Sequence, residues 1–121
     1  MNSTRIEYAV LPAGDGPGQD RCFTAEGLVV VLDGASAYDP SLSRDASEYV
    51  DALGPALIEQ ITNTPGIDLR DALTEAIRWT AAKLQLIPGK GPSSTVSVVR
   101  WGADTVDVLV LGDNESATGT V

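Results

Sequence analysis

The sequence contains no histidine and a single cysteine, Cys22, among its 121 residues. The chain by itself therefore cannot form a His-ligated zinc site, a His-based nucleophilic triad or an internal disulfide. Basic residues are also few, since 8 Lys and Arg stand against 17 Asp and Glu and the net charge is −9. Phosphate backbones and anionic membranes are bound by clustered Lys and Arg, so this balance argues against nucleic-acid and membrane partners. Any metal bound here must be held by oxygen ligands, which hard divalent cations prefer.

Long apolar runs are missing as well. No stretch approaches the roughly 18 to 20 residues that span a bilayer, and the first ten residues show no basic-then-apolar export pattern. We therefore predict a cytoplasmic protein. The hydrophobic content of 43% is enough for one core in a chain of this length, so residues 1–121 are interpreted as a single domain.

The chain is organised around residues 28–34, Leu-Val-Val-Val-Leu-Asp-Gly. Such an apolar run predicts a central strand covered on both faces, with Asp33 and Gly34 at its end. Residues 21–24 and the turn that follows them predict an antiparallel hairpin with this strand. The start of one hairpin strand lies beside the end of the other, so we expect Asp20 to lie close to Asp33. Taken alone, Asp33 and Gly34 also fit an ordinary Asp-Gly turn.

Two helices and a second hairpin are predicted downstream. Pro55 predicts a kink or break in the first helix, and Asp68 fits the N-cap of the second. Residues 94–101 and 105–111 have the pattern of strands joined by a glycine-containing turn. Apolar residues recur at helical spacing at Ala46, Tyr49, Val50, Leu53, Leu57 and Ile61, and again at Leu69, Leu73, Ala76, Ile77, Thr80, Leu84 and Ile87.

Together these elements predict an α+β fold of antiparallel strands with a pair of packed helices. Further short strands are expected at residues 8–11 and 116–121. A domain that ends inside a strand is interpreted as incomplete. Such a chain is expected to self-associate or to require its missing half, because an unpaired edge and an apolar surface are left exposed.

Four short motifs follow one another along the chain: Gln19-Asp20-Arg21, Val31-Leu32-Asp33-Gly34, Pro92-Ser93-Ser94-Thr95-Val96 and Leu111-Gly112-Asp113-Asn114. Their order, with two helices between the second and the third, resembles the N-terminal half of the metal-dependent type 2C Ser/Thr protein phosphatases. The family patterns are an acidic ED pair, a DG after a strand, a G-T-T/S-T that opens a strand and a V-G-D-S that ends the next. The resemblance implies part of a four-layer α-β-β-α sandwich. It also implies phosphoprotein or phosphopeptide substrates, hydrolysed at phosphoserine or phosphothreonine by metal-activated water.

The resemblance assigns roles by position. Asp33 matches the carboxylate that bridges two Mg²⁺ or Mn²⁺ ions, and Gly34 matches a residue whose backbone carbonyl is a ligand. Asp20 matches the second acid of the ED pair, which binds through metal-held water. Asp113 matches the acid of V-G-D-S, which lies near the site. Asp33 and Asp20 are thus the candidate catalytic residues, and these two with Gly34 and Asp113 are the candidate metal ligands.

The chain also departs from the family patterns. Gln19 stands where the first acid of the pair is usual, Asp15 stands where the phosphate-binding Arg is expected, and Asn114 replaces a serine. Arg5 and Arg21 are the candidate replacements for that Arg. The remaining metal acids of the family belong to its C-terminal half, so the short chain is expected to be inactive by itself.

Two alternatives remain open. One is a non-catalytic phosphatase-like binding or regulatory module, which Gln19 and the missing Arg favour. The other is an unrelated α+β domain in which Asp20, Asp33 and Asp113 are surface turn residues.

Overall fold

The computed structural model describes residues 20–35, 46–87 and 91–115. In chain order, the elements are β1 (Asp20–Ala25), β2 (Leu28–Ala35), α1 (Ala46–Asn63), α2 (Leu69–Leu84), β3 (Ser93–Trp101) and β4 (Val106–Glu115). The α+β prediction is confirmed. The strands expected at residues 8–11 and 116–121 lie outside the described residues.

The described strands form one antiparallel sheet in the order β1-β2-β3-β4, and both helices lie between β2 and β3 in the chain. Both predicted hairpins are confirmed. The β1–β2 turn depends on Gly27, which has a φ of +70°, and a Cβ added there would lie 2.8 Å from the carbonyl oxygen of Trp101. A larger residue would be strained and would also collide with β3, so this turn and the sheet are specified together.

Side chains alternate between two faces along each strand. Leu28, Val30 and Leu32 of β2 face the helices and are buried, as are Val96 and Val98 of β3. Val31 faces the other way and is 43% exposed. The expectation that β2 is covered on both faces is therefore wrong for the described residues, because α1 and α2 lie on the same side of the sheet.

The two helices pack against each other and against that side of the sheet. All six apolar positions predicted for α1 are buried, as are the predicted positions of α2 from Leu69 to Thr80. Asp68 is the N-cap of α2, as predicted, and its carboxylate accepts hydrogen bonds from the backbone N–H groups of Arg70 and Asp71 at 2.9 and 3.2 Å. The core consequently lies in one layer between helices and sheet.

Two helix predictions need correction. Of the kink or break predicted at Pro55, a break does not occur, because α1 continues through Pro55 to Asn63. Proline has no backbone N–H, so Pro55 leaves the carbonyl of Asp51, one turn earlier in α1, without a donor in the helix. Both residues are exposed, so water can satisfy that carbonyl. The second helix ends at Leu84 rather than Ile87, because Gln85 adopts a left-handed conformation that terminates it. Ile87 is accordingly 51% exposed instead of packed.

The predicted strand ends were also too early. Asp33 and Gly34 do not leave the sheet, since β2 continues to Ala35, and β4 runs through residues 112–114 to Glu115. The physical reason is β3, which begins at Ser93 and pairs there with Ala35 on one side and with Glu115 on the other. The candidate residues therefore lie on strands rather than in turns.

None of the helices in the described ranges is long and apolar enough to cross a membrane.

Candidate functional site

The first strand hairpin places two carboxylates side by side. Asp20 is the direct register partner of Asp33 in the antiparallel β1–β2 pair. Directly opposed residues of such a pair have Cβ atoms about 4.5 to 5.5 Å apart and project to the same face. The predicted proximity of Asp20 and Asp33 is thus confirmed. It follows from the turn at residues 25–27, which fixes the register of the whole hairpin.

The proximity of Asp20 affects the ionisation of Asp33. A side-chain hydrogen bond with Asp20, partial desolvation and the negative charge of Asp20 together raise the pKa of Asp33 above its ordinary value. A hydrogen bond between two carboxyl groups requires that one of them carries a proton. The pair is therefore close enough to share one positive charge, which a proton supplies at low pH and a cation can supply in its place.

A third residue of this row was not singled out as a site residue from the sequence. Thr95 of β3 is the register partner of Asp33, on the side of β2 opposite Asp20. Its hydroxyl adds an oxygen donor to the same face of the sheet. The signal for it was the Ser-Ser-Thr run at residues 93–95, whose third member could be placed only once the β2–β3 register was known.

The backbone of Asp113 reaches the same end of the sheet. Leu111 pairs with Val96 and Asn114 pairs with Ser94, so Gly112 and Asp113 together lie opposite Thr95 at a bulge. The row across the four strands is therefore Asp20, Asp33, Thr95 and the bulge of β4. With strands about 4.8 Å apart, the Asp113 backbone lies roughly 10 Å from that of Asp33.

Gly34 follows Asp33 in β2 and pairs with Ser94 of β3. It does not turn the chain, and the described glycines with positive φ are Gly27 and Gly66. Ser94 is fully buried, and its hydroxyl donates to the carbonyl oxygen of Thr95 at 2.7 Å. Gly34 thus lies in the paired part of β2, directly after Asp33.

Asp20, Asp33 and Thr95 belong to what we call the open face, the side of the sheet away from α1 and α2. Among its described side chains, only Asp20 and Asp33 carry charge. Its apolar members are Cys22, Val29, Val31, Val99, Trp101, Val106, Val108 and Val110. The carboxylate pair therefore sits at one end of a largely apolar surface.

Arg21 is oriented away from the pair. Its Nε donates to Oδ1 of Asp51 on α1 at 2.7 Å, and its Nη1 donates to the carbonyl oxygen of Asp20 at 2.8 Å. Adjacent residues of a strand project to opposite faces, so Arg21 lies on the helix side whereas Asp33 lies on the open face. Of the two candidate replacements for a phosphate-binding Arg, Arg21 is therefore engaged elsewhere, and Arg5 lies outside the described residues.

Cys22 is also on the open face, opposite Val31, and is half-buried. Desolvation raises the pKa of its thiol, which disfavours the nucleophilic thiolate. Cys22 is therefore interpreted as a packing residue.

The oxygen donors present suit a hard divalent cation in kind but are few in number. Asp20 and Asp33 offer two carboxylates, and Thr95 offers a hydroxyl, all on one face. Within the described ranges, no group of three or more His, Cys, Asp or Glu residues is placed to hold a metal ion. The described site can thus supply part of the shell of one ion, with water completing it.

Searches against protein-family models, curated proteins and solved structures found no match to this chain. The described residues form an α+β arrangement of a four-stranded antiparallel sheet with a pair of helices on one side.

Proposed function

We propose that this chain is the N-terminal half of a phosphatase-like domain of the metal-dependent type 2C class, with Mg²⁺ or Mn²⁺ bound at Asp20 and Asp33. The observation that carries the proposal is the cross-strand pairing of Asp20 with Asp33, because two motifs separated in the sequence meet where the resemblance requires them to meet. Asp113, in the same row, and Gly34, the residue after Asp33 in β2, are proposed as further ligands.

The layer order supports the same proposal. A four-layer α-β-β-α sandwich consists of two sheets packed face to face, with a helix pair outside each one. Half of it would be a helix pair on one side of an antiparallel sheet and an apolar surface on the other, which is the arrangement of the described residues. An isolated soluble sheet usually has a polar outer face, so the valines of the open face favour a further layer packed on that side, beyond the described residues.

The roles of the chain's own residues follow from their positions. Asp33 would contact the ion directly, and Asp20 would hold water in its shell or share the charge across the strand pair. Both are fixed by the sheet rather than by a loop, which preorganises them. A bound divalent cation would neutralise the charge on a phosphate group and activate water for attack on phosphorus. One hairpin cannot fill the shells of two such ions, so this chain alone is expected to be inactive.

A non-catalytic binding module is the second candidate, and the position of Arg21 favours it. The resemblance to type 2C phosphatases calls for an Arg that binds the substrate phosphate, whereas Arg21 is salt-bridged to Asp51 on the helix side of the sheet. A module that binds a metal or a partner through the open face needs no such arginine.

Metal binding can be tested by calorimetric titration of Mn²⁺ into the wild-type chain, Asp33→Asn and Asp104→Asn. Asp104 is exposed in the turn between β3 and β4, at the other end of the sheet, so it is a matched control for the loss of one negative charge. We expect weak binding by the wild type and by Asp104→Asn, and none above background by Asp33→Asn. Equal heats for all three proteins would contradict the assignment of Asp33.

Catalysis separates the two candidates. Hydrolysis of p-nitrophenyl phosphate and of a phosphothreonine peptide should be measured with Mn²⁺, for this chain and for the chain extended through any downstream coding sequence. The phosphatase proposal expects Asp33-dependent turnover by the extended chain only. Metal binding without turnover by either protein would favour the binding module, and turnover by the short chain would show that the site is not divided.

A further inference from the structure

The stripe of valines along β4 is the largest apolar surface that the described residues leave uncovered. Val106, Val108 and Val110 are 67%, 61% and 67% exposed, and Val31 of β2 is 43% exposed on the same face. The three valines of β4 occupy successive outward positions of this edge strand, and Val31 lies two strands away on the same face. Val99 of β3 lies between the two strands, so these residues form one continuous patch rather than scattered residues. A surface of this kind is typical of an interface.

We propose that the open face binds the open face of a second copy of this chain, to form a symmetric sheet-on-sheet dimer. The inference rests on the exposed surface and its charge distribution, and it does not depend on the phosphatase hypothesis. Two sheets packed in this way lie about 10 Å apart, with their strands inclined by about 30°.

The size of the face sets the strength of the interaction. Four strands about 4.8 Å apart and about eight residues long cover roughly 500 Å² in projection. Two such faces bury about 1,000 Å², near the lower limit for a specific interface between proteins. The dimer is therefore weak and dependent on concentration, and not a permanent assembly.

Charge selects the orientation of the second copy. The apolar part of the open face has no described charged side chain with which an oppositely charged partner could pair, but it matches its own copy, valine against valine. A two-fold axis in the plane between the sheets and perpendicular to the strands places β4 on β4. The same axis moves the two Asp20–Asp33 pairs to opposite halves of the interface, roughly 17 Å apart, because Asp33 lies two residues from the middle of the paired strands. That separation exceeds the Debye length of about 8 Å, so the acidic pairs do not repel appreciably.

The experiment is sedimentation equilibrium of the full chain from about 1 μM to about 1 mM, the range in which a weak dimer dissociates. Val108→Asp and Val110→Asp place a charge in the valine stripe, where β4 meets β4 of the second copy in the proposed interface. Ile87→Asp is the matched control, because Ile87 is 51% exposed but lies beyond the end of α2. We expect a reversible dimer whose dissociation constant rises at least tenfold in both valine variants and is unchanged in Ile87→Asp. Circular dichroism of each variant verifies that it is folded.

Three results would overturn the proposal. A monomer at every concentration would show that a second copy does not cover the face and would leave it for a different partner. A dimer weakened equally by Ile87→Asp and the folded valine variants would place the contact elsewhere. Tightening of the dimer by Mn²⁺ in the wild type but not in Asp33→Asn would mean that the acidic ends meet, which contradicts the proposed axis.

Discussion

Replacement of Asp33 by asparagine is expected to stabilise the folded chain at neutral pH, although it removes the residue on which the proposed site depends. Asp33 faces Asp20 directly, and its pKa is raised by the hydrogen bond, the desolvation and the charge that the pairing brings. Like charges directly opposite one another on adjacent strands cost about 0.2 to 1 kcal/mol. Because Asp33 is exposed, solvent screening reduces this to about 0.2 to 0.5 kcal/mol. At about 4 °C per kcal/mol, the expected rise in Tm is about 1 to 2 °C.

The sign of the pH dependence distinguishes this cause from others. An Asp whose pKa is raised on folding takes up a proton in the native state before the unfolded state does, so its contribution to stability is fully present below the unfolded pKa of about 3.9. That contribution is lost as the pH rises through the folded pKa of Asp33. The advantage of Asp33→Asn should therefore exist at pH 7 and disappear as the pH falls through the same window.

Thermal unfolding of the wild type, Asp33→Asn, Asp20→Asn and the double variant, without metal, measures this effect. The double variant should gain little beyond either single variant, since one substitution already relieves the repulsion. Asp104→Asn serves as the control for reduced net charge. The reasoning would be refuted if Asp33→Asn were no more stable than Asp104→Asn at pH 7, or if its advantage did not change with pH.

Three further predictions concern the fold and can be measured by urea denaturation. Gly54→Ala should destabilise the chain by up to about 2 kcal/mol, because the new Cβ would collide with the ring of Phe23 and this overpacking outweighs the gain in helix propensity. Phe23→Leu in the same chain should relieve most of the loss. Additive effects of the two substitutions would contradict the contact. Asp68→Ala should cost about 1 kcal/mol through the lost N-cap of α2, and no change would argue against the cap. Arg100→Met should lower the free energy of unfolding by about 1 to 3 kcal/mol, because Arg100 donates hydrogen bonds to the carboxylate of Asp107 and to the carbonyl oxygen of Ile67. Unaltered stability would show that these contacts do not stabilise the fold.

Local patterns in the sequence predicted the elements and the position of the acidic pair. Helical spacing identified the buried faces of α1 and α2, and the short turn before Leu28 fixed the register that brings Asp20 beside Asp33. Element ends were less predictable because they depend on neighbours distant in the chain. β2 extends past Gly34 only because β3 is there to pair with it, and α1 continues through Pro55 because the lost hydrogen bond faces water.

The surroundings of the site could not be predicted for a similar reason. The run of apolar residues in β2 is compatible with cover on one face or on two, and only the placement of both helices on one side shows that Val31 is exposed. Thr95 belongs to the row because of the β2–β3 register. Two helices separate these strands in the sequence, so local patterns do not determine that register. The orientation of Arg21 toward Asp51 is likewise a tertiary contact between β1 and α1.

The most direct test of the proposed metal site is paramagnetic broadening of backbone amide signals by substoichiometric Mn²⁺. Broadening should be strongest at Asp20, Asp33 and Thr95, and absent at Asp104 at the other end of the sheet. Asp33→Asn should remove it, and Asp104→Asn should leave it unchanged. Broadening spread evenly over the acidic residues, or centred away from the Asp20–Asp33 pair, would contradict the claim that this pair is where the chain binds a divalent cation.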